Sequence, residues 1–66
     1  MTEKKINLTI IEQLRMARLP QRWLARKTKI HESCISMIIN GRLIPDAVQR
    51  EKIAKALRME SEQIFT

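Results

Sequence analysis

Apolar residues recur along this chain at helical spacing, in short runs separated by turn signals and without the alternation of a strand. The pattern is sharpest from Leu24 to Gly41. Leu24, Ala25 and Thr28 fall on one face at i, i+1 and i+4. In the next segment Ile35, Ile38 and Ile39 do the same, which points Glu32, Ser33, Ser36 and Met37 outward. Lys29-Ile30-His31 between the two is too short for anything but a sharp corner. Gly41, the chain's only glycine, suits a left-handed stop after the second helix, with Asn40 just before it. The spacing therefore predicts one helix from about Gln21 to Thr28 and another from about Glu32 to Ile39.

The flanking segments supply three more helices. Thr9-Ile10-Ile11-Glu12 reads as a capping box, in which Thr9 accepts an orphan backbone N–H and Glu12 reaches back to that of Thr9. The helix it opens carries Ile10, Ile11, Leu14 and Ala17 inward and ends at Arg18 or Leu19, because Pro20 disfavours helical geometry in the residue before it. Pro20 in turn suits the start of the second helix. Asp46 with Gln49 is a further start signal, for a fourth helix that runs to about Leu57 and buries Ala47, Ile53, Ala54 and Leu57. Arg50 intrudes on that stripe and must lead its head to solvent. A last short turn from Ser61 to Phe65 folds back on the core. Residues 1–8 read as a basic arm, and 9–66 as one all-α domain, a compact bundle of about five short helices.

At 66 residues the chain sits near the lower end of what folds without staples. One Trp, one Phe and no Tyr make the core aliphatic. A single cysteine, Cys34, excludes an internal disulfide, and no zinc spacing is present. Nothing resembles a signal peptide or a membrane span, which points to a reducing cytosol. Net charge is +6, and its placement matters more than its size. From Arg15 to Arg42 there are seven basic residues and one acid, Glu32; from Leu43 onward four bases meet four acids. The excess charge thus lies on and beside the central helical pair, as in a nucleic-acid binder. His31, Ser33 and Cys34 crowd one turn without a suitably placed acid, so no catalytic group is expected. No metal, cofactor or small-molecule ligand is expected either.

Two helices across a turn of about three or four residues make a helix-turn-helix. With its residues placed, the chain resembles the Cro and phage-repressor type, the large lambda-repressor-like (XRE) family. The matching signals are Gln21, Leu24-Ala25, Ile30, Ile35-Ser36, Ile38, Asn40-Gly41-Arg42, Pro45, Ile53-Ala54, Leu57 and Glu62-Gln63-Ile64-Phe65. Three turns where that family favours glycine carry Arg18, Lys29 and Arg58 instead. Positive φ there costs roughly 1 kcal/mol per residue, partly recovered by a cation at a helix C-terminus; otherwise the turns differ. An Arg–Glu pair common in the family falls at Leu14 and Ile39 here. An apolar pair can replace a buried ion pair without loss of stability.

The resemblance implies a sequence-specific, double-stranded DNA-binding transcriptional regulator, a small Cro-like repressor of bacterial or phage type with no room for a sensing domain. Its third helix would enter the major groove. By position the base readers are Glu32, Ser33 and Met37, with Ser36 and His31 as secondary candidates. Glu32 suits a cytosine amino group, Ser33 several bases and Met37 a thymine methyl. Gln21, Arg22, Asn40 and Arg42 are the phosphate contacts, with Lys4 and Lys5 on an arm. Family members dimerise on half-sites about 34–36 Å apart, here through Met59, Ile64 and Phe65, and the location implied is the cytoplasmic nucleoid. The alternative is a protein-interaction module, an antitoxin or adaptor, anchored by Trp23 and the C-terminal apolar residues. RNA binding is the lesser nucleic-acid reading, since the chain lacks an aromatic stacking platform.

Overall fold

The computed structural model describes residues 6–65 and is all-helical among them. Five helices follow in order: α1 (Leu8–Ala17), α2 (Gln21–Thr28), α3 (Glu32–Ile39), α4 (Ala47–Leu57) and α5 (Ser61–Ile64). The bounds of α2, α3 and α4 agree with those read from periodicity and caps. α2 lies between α3 and α4 and packs on both; α1 packs on α3 and α5, and α5 closes against α4. Ile10, Leu24, Ile35, Ile39 and Ile53 are the largest side chains fully withdrawn from solvent; α1, α2 and α4 contribute one each and α3 two. α5 contributes Ile64, which is also buried. Leu14 and Ile39 are both core residues.

The ends of the helices explain why the turns are tight. After α1, α2 and α4 the chain turns through a left-handed residue: Arg18 at φ 58°, Lys29 at φ 61° and Arg58 at φ 57°. Each is followed by an apolar residue whose N–H returns to a carbonyl five residues back. Leu19 donates to Leu14 O at 2.8 Å, Ile30 to Ala25 O at 3.2 Å and Met59 to Ala54 O at 2.9 Å. These three apolar side chains pack into or against the core, the hydrophobic contact that accompanies such a helix end. At Gly41, φ 75°, Arg42 N–H makes the same return to Met37 O at 2.8 Å. The three non-glycine turns therefore keep positive φ, with a cation at the negative end of the helix. Arg58→Gly should raise stability by about 0.5 kcal/mol, the relief of left-handed strain exceeding glycine's larger unfolded-state entropy. Urea titration that showed a loss instead would mean the arginine contributes more than its backbone strain costs.

Several expectations need correction. The N-cap of α1 is Asn7 and not Thr9: Asn7 Oδ1 accepts from Ile10 N–H at 3.1 Å, and Leu8 is already helical. The boundary drawn after residue 8 thus falls inside the folded unit. Asn7 is chosen because its other groups are also used, its N–H donating to Ile39 O at 2.7 Å and its Nδ2 to Ile64 O at 3.1 Å. Ala17 and Ala47 are exposed, since the last turn of α1 and the first of α4 overhang the core that their middles cover. Ile11 and Leu57 are only half-buried against it. The Asp46–Gln49 capping box forms as expected, with both reciprocal bonds present, and at α5 Gln63 Oε1 accepts from Glu60 N–H at 3.0 Å. No helix among the described residues is long and apolar enough to cross a membrane.

Candidate nucleic-acid interface

The corner between α2 and α3 is held by a buried threonine. Thr28 is the only buried polar side chain among the described residues, and its hydroxyl is used twice. It donates to Leu24 O at 2.7 Å and accepts from Ile30 N–H at 3.3 Å. With both roles filled, burial of the hydroxyl carries no unmet desolvation cost, and Ile30 is pinned under the corner. The connection Lys29–His31 is thereby fixed, and α3 starts at Glu32.

The start of α3 is capped by a histidine. His31 Nδ1 accepts from Ser33 N–H at 3.1 Å and lies 2.8 Å from Ser33 Oγ. An accepting Nδ1 places the proton of the neutral ring on Nε2. The Ser33 hydroxyl lies against the same nitrogen, so the two side chains hold each other at the start of α3. His31 thereby acts as the cap of the helix, a role its position in the sequence did not reveal because histidine is not a usual N-cap type.

The outward face of α3 carries Glu32, Ser33 and Met37 exposed, as the spacing predicts, while Ser36, expected with them, is half-buried. Two basic notches lie at its ends. At the N-terminal end Arg22, Arg26, Lys29, His31 and Glu32 surround one depression, floored by Ala25 and Ile30. At the C-terminal end Ile6, Ser36, Met37, Asn40 and Arg42 surround another. The structure thus brings Arg22 beside Glu32, and Asn40 and Arg42 beside Ser36 and Met37. Arg26, Lys29 and Ile6 belong to the same surface and are absent from the sequence-based set. A basic i, i+4 pair at Arg22 and Arg26 on α2 was the available signal.

Among the remaining phosphate candidates, Gln21 opens α2 and is half-buried. Its helix has no side-chain cap at Pro20; Trp23 N–H donates to Pro20 O at 3.0 Å, which leaves the N–H groups of Gln21 and Arg22 to meet an anion. Asn40 Nδ2 is turned back on α3, donating to Ser36 O at 2.8 Å, which leaves Oδ1 as the outward group. Nδ2 also lies 3.4 Å from Ser36 Oγ, and as an amide it carries two N–H donors. Lys4 and Lys5 lie outside the described residues.

The expected dimer residues are unequally available. Ile64 is 5% exposed and closes the core, while Met59 and Phe65 are half-buried. The freely exposed apolar side chains beside Phe65 are Ile6, Leu8 and Ile44, which border one open groove with it. Trp23 is half-buried against the core, not a free anchor. Cys34 is a free thiol, also half-buried, and no cluster of metal-ligating side chains occurs among the described residues. No protein-family model, curated protein or solved structure matches the chain.

Proposed function

We propose that the protein binds double-stranded DNA in a sequence-dependent way through α3 and acts as a small Cro-like transcriptional repressor. One observation carries this reading: a short helix displays Glu32, Ser33 and Met37 to solvent between two basic notches, one at each of its ends. A helix of this kind fits the major groove, whose flanking strands would meet Arg22 and Arg26 on one side and Arg42 on the other. Ser33 suits adenine or cytosine amino groups, and Glu32 accepts from cytosine. None of the outward residues makes a bidentate purine contact, so most of the affinity comes from the arginines and is salt-dependent. Two copies on one near-palindrome would restore specificity, and the exposed Ile6, Leu8 and Ile44 beside Phe65 offer an apolar contact for that pairing.

The test is selection from random duplexes with the full chain at near-physiological salt. Enrichment of a near-palindrome is the expected result. Retention without any enriched sequence would overturn sequence-specific readout and leave only a basic surface. Arg22→Ala and Arg42→Ala should each weaken binding to every duplex alike and flatten the log–log salt slope by about 1. A change in base preference from either would move that arginine from the phosphates to the bases.

A further inference from the structure

The same helix α2 has a second charged flank, turned toward α4. There the C-terminal end of α2 and the middle of α4 form a cleft lined by Lys27, Lys29, Lys52 and Lys55, with Thr28 and Ala56 between them. All four lysines are exposed and no acidic residue lines the cleft. None of its residues comes from α3, and Lys29 alone also borders the notch beside Glu32. The exposed face of α4 continues from the cleft as a shallow hollow formed by Ala47, Val48, Glu51, Lys52 and Lys55. Val48 is 62% exposed, an apolar side chain at the edge of a lysine cluster.

We propose that this surface docks an acidic, amphipathic peptide segment of a partner protein, its carboxylates meeting the four lysines and an apolar side chain resting on Val48 and Ala47. Charge complementarity sets the sign of the partner. The exposed Val48 and Ala47 beside the lysines favour an amphipathic peptide over a DNA strand, because a phosphate backbone gains nothing from apolar contact. The proposal does not rest on the DNA reading, because α3 takes no part in it.

The experiment titrates the full chain with a labelled synthetic peptide in which glutamates and leucines repeat at helical spacing, read by fluorescence anisotropy and amide NMR shifts. A peptide with glutamine at every glutamate position is the control. Shifts should centre on α4 and the end of α2. Lys27→Gln, Lys52→Gln and Lys55→Gln together should weaken binding by at least about tenfold, by loss of charge pairing. Val48→Ser alone should weaken it by about fivefold through lost apolar contact. Peptide binding that survives the triple substitution overturns the proposal, as does indifference to Val48→Ser, which would reduce the effect to unspecific charge. A duplex that shifts Lys52 and Lys55 where the peptide does not would assign the cleft to nucleic acid and overturn it too. Because the variants keep every α3 residue, a failure of DNA reading shows in the duplex titration and leaves this result separate.

Discussion

Ile35→Ala leaves a large fraction of the protein unfolded at ordinary temperature. Ile35 is fully withdrawn from solvent on the inner face of α3, directly behind the residues that face outward. Truncating a buried isoleucine to alanine costs about 2–5 kcal/mol, part of it lost transfer energy and part the cavity left behind. A domain of this length holds roughly 3–10 kcal/mol in total, so the loss is a large share of what exists. In thermal unfolding followed by circular dichroism the midpoint should fall by about 10–30 °C, at 4–8 °C per kcal/mol for a small domain. Ile35→Val, which removes one methylene, should cost about 0.5–1.5 kcal/mol and remain folded. A drop of less than about 1 kcal/mol for the alanine variant would contradict the packing of α3 described above. The pair also separates structure from recognition: the valine variant keeps the outer face and should bind DNA as the parent does.

Asn7→Ala carries the next largest effect, and its companion variants test which residue begins the fold. Asn7 caps α1 through Oδ1 and ties the start of the chain to α5 through Nδ2, while its N–H meets the last carbonyl of α3. Alanine removes both side-chain bonds and should destabilise by about 1.5–3 kcal/mol, a lost cap plus a lost hydrogen bond. Asn7→Asp keeps the capping oxygen beside the positive end of the helix but has no donor for Ile64 O. Its cost should be smaller, about 0.5–1.5 kcal/mol, with faster amide exchange in α5. Thr9→Ala should be close to neutral, since Thr9 lies within α1 and makes no cap. If Thr9→Ala cost as much as Asn7→Ala in urea unfolding, the cap assignment would be wrong.

The case of Asn7 shows where a linear reading stops. Asn7 and Thr9, either side of Leu8, are both capping residue types, and Thr9 has the better local box because Glu12 stands three residues on. The choice falls on Asn7 because Ile39 and Ile64 present carbonyls to it, the second from 57 residues away. By contrast, Asp46 and Gln49 have no distant competitor, and their box forms as written. The left-handed turns follow the same logic. Arg18, Lys29 and Arg58 do not advertise positive φ by residue type. Yet each is followed by a residue, Leu19, Ile30 or Met59, whose apolar side chain can reach inward only if the helix ends there.

What the sequence by itself determined is the set of local decisions: five helices, the bounds of α2 to α4, the stop at Gly41, and the inner face made by Leu24, Ala25, Thr28, Ile35, Ile38 and Ile39. These depend on contacts within one or two turns, so the periodicity of the chain contains them. Only the tertiary structure decided which helix ends overhang the core, leaving Ala17 and Ala47 outside. It alone decided that Arg22 and Arg26 meet Glu32 around one notch, and that Lys27 and Lys29 meet Lys52 and Lys55 across a cleft. Those groupings join residues whose separation in space is set by how α2 packs between α3 and α4, and no local spacing encodes that distance.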